Sequence, residues 1–441
     1  MKKALLLKSL IVGGLALLLL LPLSMIEGQI SARNARQIET EHEIAELTAG
    51  RQQLVGPLLV VPYQEEVFRE ETNPKSGEIV KRNFWEDKHQ IIVPRNLSVT
   101  SEARVDERHR GLFKAQAYEI DAKVNGDIFV AKGLGLPPDR NIKPGRAYLV
   151  VGLTDLRGIR SQPLLTWNGT DLGFSPGVPC GIFNQGIHVD LGPVPALEGR
   201  LNSFTLPLAL KGSQSFFVAP VAESTKVSMH SPWPTPSFQG RFTAVHSEGP
   251  EGFNATWEVF HLARNLSKIL EGKGETSEAF GVVFLKGVNV YLKSERAVKY
   301  GFLFVGLTFA AFFFFEMLRR LPIHPIQYLL VGFALAIFFL LLLSLSEQLS
   351  FGWAYLAASS ACTLLLGAYL SQVLQSPRRG WGFAAGLGLL FAVLYGLIDS
   401  EDNALLMGSL LTFLGLAAVM IGTRKIDWYA LSEAETPQVE P

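Results

Sequence analysis

At 441 residues the chain has room for two or three ordinary domains, and 48% hydrophobic residues with a positive mean hydropathy is high for a purely soluble protein. Forty basic residues balance forty acidic ones, so no net field draws the chain to nucleic acid, and that class of partner is excluded. The two cysteines, Cys180 in a polar Pro/Gly-rich region and Cys362 in an apolar run, exclude a disulfide framework and a Cys-x-x-Cys pair, and both read as packing residues.

A hydrocarbon core about 30 Å thick needs roughly 20 apolar helical residues, because unpaired backbone groups are not tolerated in lipid. Six stretches meet this: Ser9 to Ile26, Tyr300 to Leu318, Ile326 to Leu345, Phe351 to Leu370, Trp381 to Ile398 and Ala404 to Gly422. The first follows Lys2, Lys3 and Lys8, as a signal peptide would. It is longer than a usual signal core, and residues 27–34 offer no clear small-x-small cleavage site, so it reads as an uncleaved anchor, residues 1–26.

Residues 27–50 follow as a helical stalk, with Ile38, Ala45 and Ala49 at helical spacing among mixed charges and Gly50 as the stop signal. From 51 to 299 the pattern changes to short apolar runs between Gly, Pro, Asn and Asp, such as Leu58 to Val61, Ile91 to Val93, Tyr148 to Val151 and Val282 to Leu285. Phe204, Leu206, Leu208 and Leu210 alternate as one face of a strand, in which Pro207 suggests an edge position. The expected fold is a membrane protein of the α+β type: six transmembrane helices, with a large antiparallel, sandwich-like β domain inserted between the first and second, and one helix near His261 to Leu270. Residues 300–429 form the five-helix part and 430–441, acidic and Pro-containing, a disordered tail.

Charge sets the orientation. With six helices threaded, Lys2, Lys3, Arg319-Arg320, Arg378-Arg379 and Arg424-Lys425 fall on one side, while the loops 346–350 and 399–403 on the other side contain no Lys or Arg. The basic side is cytoplasmic, so both termini are expected there and residues 27–299 outside, in the periplasm of a Gram-negative host.

Several segments then carry a resemblance: Gln53-Leu54-Val55-Gly56-Pro57-Leu58, the run Trp233 to Gly240, Lys299-Tyr300, Leu307-Thr308-Phe309, Phe315-Glu316, the run His324 to Gly332, and Ile426-Asp427-Trp428-Tyr429. On these the chain resembles the CreD family of bacterial inner-membrane proteins, also called cell envelope integrity proteins, from the first anchor almost to the C-terminus. The resemblance implies an envelope-stress protein whose expression a sensor kinase and response regulator control. It implies no enzyme mechanism and brings no catalytic residues.

Chemical motifs are sparse. Gly173-Phe174-Ser175-Pro176-Gly177 has the letters of a nucleophile elbow, but Pro176 lacks the backbone N–H that the oxyanion hole needs, so a turn is expected. His42-Glu43 lacks the second histidine of a zinc helix, and His188, His230, His246 and His261 are scattered singly. No catalytic residue, metal or cofactor is expected.

The candidate functional residues are Glu316, His324, Gln327, Tyr328, Trp233 and Phe238. Glu316 closes the aromatic run Phe312 to Phe315; it reads either as a proton-relaying or cation-binding carboxylate or as an ion pair with Arg319 and Arg320. His324, Gln327 and Tyr328 stand at the mouth of the third helix, as helix-start chemistry or as a contact with a partner or headgroup. Asp399, Glu401 and Asp402 form an acidic outer loop, too short to wrap an ion alone. Trp233 and Phe238, among rigid prolines, form either a buried corner or a surface that grips a peptide, glycan or lipid. The functional expectation is a non-enzymatic envelope-maintenance protein whose partners are the bilayer and an envelope component or protein partner; a transporter or lipid-handling protein is the first alternative and an envelope enzyme the second.

Overall fold

A computed structural model describes residues 2–72, 79–110, 113–284, 290–319, 323–400 and 404–424. The chain divides into two units, one made of Met1–Gln37 with Val288–Pro441 and the other of Ile38–Gly287.

The helices follow the apolar runs. α1 (Lys2–Leu18) and α2 (Leu20–Thr48) are joined through Leu19, whose N–H donates to the Leu15 carbonyl (3.1 Å) and whose carbonyl accepts from Leu23 (3.3 Å), giving one apolar-to-polar helix over Leu7–Leu47. The helix stops one residue before the expected glycine: Ala49 takes the left-handed conformation, φ 66°. α3 (Leu266–Glu271) belongs to the β-rich unit, where Asn265 caps it. α4 (Val290–Lys299) meets α5 (Gly301–Arg319) at a bend of 41°. α6 (Pro325–Ser346), α7 (Phe351–Val373), α8 (Pro377–Asp399) and α9 (Ala404–Thr423) follow.

Among the described residues four helices are long and apolar enough to cross a membrane, Leu7–Leu47, α6, α7 and α8, or five if the bent α4–α5 pair is one span. The sixth expected stretch is helical as α9, but its described apolar segment is the shorter Gly408–Ala417. α6 shows what marks a span: Val331, Leu335, Phe338 and Leu342 are buried against neighbours, while Leu330, Phe333, Ile337 and Leu340 are exposed on the other face. A water-facing helix would carry polar residues there.

The other unit is built of strands. They are β1 (Gln52–Thr72), β2 (Ile79–Ile92), β3 (Asn96–Arg110), β4 (Phe113–Phe129), β5 (Ile142–Pro144), β6 (Arg146–Leu153), β7 (Leu164–Trp167), β8 (Thr170–Gly173) and β9 (Ser175–Pro176). β10 (Gly186–Pro193), β11 (Leu201–Ser213), β12 (Ser215–Ala219), β13 (Ser224–Ser231), β14 (Pro236–Gly240), β15 (Val245–Gly249), β16 (Gly252–Phe260) and β17 (Phe280–Phe284) complete them. One sheet has the order β14-β17-β12-β1-β6-β10-β9, with β2 and β5 also on β1; the other runs β15-β16-β13-β3-β4-β11-β7-β8. Their inner faces share one core, in which Trp257 of one sheet meets Phe280 of the other (5.5 Å between ring centres) and Tyr118 meets Phe284 (5.1 Å).

The expectation of purely antiparallel sheets is corrected: both sheets are mixed, because β1 pairs β12 in parallel and β3 pairs β13 in parallel. Alternation of side chains tells which face a strand buries, not which distant strand lies beside it. Phe204, Leu206, Leu208 and Leu210 are buried on one face of β11 as expected. The strand is interior, yet β7 pairs only with Phe204 and Thr205, so Pro207 lies past its end and needs no partner there. The elbow-like serine sits in the two-residue β9, paired with His188 and Ile187. The helix expected near His261 is divided into a 3-10 turn, His261–Ala263, and α3. The tail 430–441 and residues 425–429 fall outside the described residues.

On the β1–β2 ribbon, the nearly buried Glu65 accepts from Lys88 Nζ (2.6 Å) and faces Arg140 Nη1 (3.1 Å). The Lys88 hydrogen bond foremost, with the Arg140 charge, holds the Glu65 carboxyl below its ordinary value of 4.5. A carboxyl lowered in the folded state contributes stability that is complete above its unfolded value and is lost as pH falls through the folded one. The protection factors of amides in β1 and β2, exchange being corrected for its intrinsic pH dependence, are therefore expected to fall on acidification below about pH 4.5, and Glu65→Gln is expected to flatten that dependence; an unchanged profile in the variant would show that other groups carry it.

Candidate functional site

Ion-paired carboxylates of the helical unit, Glu316, Glu347 and Asp399, stand toward the two ends of α6. Pro325 opens that helix, where its missing N–H costs nothing. His324 caps it: its Nδ1 accepts from the Ile326 N–H (3.3 Å), and its own N–H donates to Gln327 Oε1 (3.0 Å), the reciprocal pattern of a capping box. Both side chains are thus engaged in starting the helix. Tyr328, one position on, is fully buried and reaches inward.

There it meets Glu316 of α5. Glu316 Oε2 accepts from Tyr328 Oη (2.7 Å), and Oε1 accepts from the Ile323 N–H (3.1 Å) and from Lys8 Nζ of α1. Lys8 also donates to the Ile323 carbonyl (2.9 Å). Phe312 and Phe309 pack on the Tyr328 ring, at 4.7 and 5.7 Å between ring centres. A carboxylate so surrounded is satisfied on both oxygens and ties three helices together. Its ion-pair partner is Lys8, distant in sequence; the expected partners, the side chain of Arg319 and Arg320, lie outside the described residues.

At the far end of α6 stands a second polar layer that the sequence reading missed. Glu347, the C-cap residue, accepts from Tyr291 Oη (3.3 Å) and lies 3.6 Å from Arg33 Nε, and Lys293 pairs with Asp399 (2.5 Å). The 22 residues of α6 separate the two layers by about 33 Å at 1.5 Å per residue, close to the thickness of a hydrocarbon core of about 30 Å. Asp399 is thereby committed to a lysine, while Glu401 and Asp402 of the expected acidic loop fall outside the described residues. The lone sequence signal for this layer was a scatter of ionisable residues just beyond the apolar runs.

Trp233 and Phe238 belong to the other unit. In the β-rich unit both are half-buried against the core, and Phe238 meets Phe253 (5.5 Å) and Trp257 (6.0 Å) edge-on. Among the described residues no three His, Cys, Asp or Glu side chains converge as a metal site.

Lys8→Met leaves the Glu316 carboxylate without its cation and is expected to destabilise the helical unit by about 1–3 kcal/mol, between the values for exposed and buried pairs. Adding Glu316→Gln should recover most of that loss. Thermal unfolding of the detergent-solubilised protein measures both, and strictly additive losses would refute the coupling.

The family model described as "Inner membrane protein CreD" matches residues 4–429. Inner membrane protein CreD of Escherichia coli (strain K12) is 35% identical over 430 residues, 95% of this chain and 92% of that protein. Among solved structures, the M1 zinc metallopeptidase of Deinococcus radiodurans aligns over 43% of this chain and 41% of its own at 11% identity and a TM-score of 0.23. A substrate-bound mutant of it aligns over 37% and 38% at a TM-score of 0.21. Scores of that size carry no argument about fold or activity.

Proposed function

The chain belongs to the CreD family of inner membrane proteins, and from that premise we propose that it maintains the integrity of the cell envelope without catalysing a reaction. In this reading six helices span the membrane, both termini are cytoplasmic and residues 27–299 are periplasmic. The β-rich unit binds an envelope component or protein partner, and the helices anchor it; a sensor kinase and response regulator control its expression, as the resemblance implies.

The observation that carries the reading is how the helical unit uses its charges. Glu316, Glu347 and Asp399 are paired within that unit, at the ends of its helices, where they join neighbours. Such groups hold a bundle together. A second reading, lipid handling, is favoured by one feature: a groove of about 820 Å³ between α7 and α8, lined by Tyr355, Ser359, Ser360, Thr363 and Phe391.

Two measurements test the proposal. Cys180 is exposed and Cys362 buried, so a membrane-impermeant maleimide is expected to label Cys180 in intact spheroplasts and to label nothing in the Cys180→Ser variant; labelling only after lysis would reverse the orientation. Deletion of the gene should sensitise cells to detergent and alter their shape, and the full chain should restore both. If a version lacking residues 27–299 but carrying a short linker, shown by fractionation to insert, restores them equally, the function lies in the helices and the proposal fails.

A further inference from the structure

Two of the segments that carry the resemblance, Gln53 to Leu58 and Trp233 to Gly240, come together in one sheet. Gln53 pairs with Phe217 across β1 and β12, Phe217 with Gly281 across β12 and β17, and Gly281 with Gln239 across β17 and β14. Directly paired residues present their side chains to the same face. The neighbouring row, Gln52, Phe216, Val282 and Phe238, holds Phe216 and Val282 fully buried in the core. Gln53, Phe217 and Gln239 therefore stand on the opposite face.

That face bears a cavity of about 710 Å³. Gly281, between Phe217 and Gln239 in the row, adds no side chain to this face, and a Cβ there would sit 2.0 Å from the Phe216 carbonyl oxygen. Arg51, Thr154 and residues 275–277 complete the walls. The Gln53 backbone N–H donates to Thr154 Oγ1 (3.1 Å), while its side-chain Nε2 is shielded from solvent with no hydrogen-bond partner among the described residues. A buried amide donor left unpaired is costly, and a bound acceptor removes that cost.

The lining defines the ligand. Arg51 and Glu275 cancel in charge, and the remaining polar residues of the lining carry the amides of Gln52, Gln53 and Gln239 and the hydroxyls of Thr154, Ser215, Thr276 and Ser277, beside the ring of Phe217. Amides and hydroxyls both donate and accept, which suits a ligand that presents hydroxyls in several directions, and an aromatic ring packs against the C–H face of a sugar. We propose that this cavity is a binding site for a neutral saccharide, with Gln53 and Gln239 as its hydrogen-bonding residues and Phe217 as its platform. The assignment rests on the reading of the β-rich unit as the part that binds an envelope component, and it names that component's chemistry.

The test uses the full chain, purified in a detergent without a sugar headgroup, and titrates it calorimetrically with an N-acetylglucosamine tetramer, a maltotetraose and a neutral tetrapeptide at millimolar concentration. At least one tetrasaccharide is expected to bind, and Gln53→Leu and Gln239→Leu each to weaken it by about fivefold to tenfold, the loss of one hydrogen bond. Gln239 is exposed on the edge strand β14, so its variant keeps the test sound if Gln53→Leu fails to fold. Absence of binding by both sugars, binding that neither substitution changes, or tighter binding of the tetrapeptide lost in Gln239→Leu would each overturn the assignment. Any of these leaves the complementation result untouched, so the two readings fail separately.

Discussion

A backbone amide taken out of water must find a hydrogen-bond partner, and both units of this protein are answers to that requirement. Where apolar residues run on for some 20 positions, only partners within the same segment are at hand, and the chain forms α6, α7 and α8. Where runs are short and broken by Gly, Pro and Asn, partners come from other strands, and two mixed sheets close around one core. β1 shows the second answer at its fullest: Leu54, Val55 and Leu58 to Val61 are wholly buried, and their strand pairs with β2, β5, β6 and β12.

The same requirement governs side chains. Glu316 is tolerable beside Phe312 because Lys8, Tyr328 and the Ile323 amide supply hydrogen bonds to both its oxygens. Glu347 and Asp399 meet the demand at the other end of α6, with Tyr291, Arg33 and Lys293. The charged groups of the helical unit therefore double as its fasteners, and the middle of α6 is left to Leu335, Phe338 and Leu342.

Parts of the candidate site were legible because their causes are local. His324, Pro325 and Gln327 spell a helix start within four residues, and the structure realises it as a capping box. Lys8 was not legible as the partner of Glu316, since 308 positions separate them and a single lysine before an apolar run has many explanations. In the β-rich unit the large aromatics drew attention to Trp233 and Phe238, but size and hydrophobicity turn such residues toward the core, against which both are half-buried. The polar face lies on the alternate residues, and which residues from other strands join Gln239 there depends on register across three strand pairs.

What the sequence determined by itself was the local physics: where apolar length demands a helix, where alternation demands a strand, and which residues begin α6. Hydropathy and periodicity are properties of neighbouring residues, so they can be read in order along the chain. Tertiary structure alone decided that β12 lies parallel to β1, that Lys8 answers Glu316, and that Gln53, Phe217 and Gln239 share one face. Those pairings are chosen by packing and hydrogen bonding among segments far apart in the chain, and no pattern within any one segment records the choice.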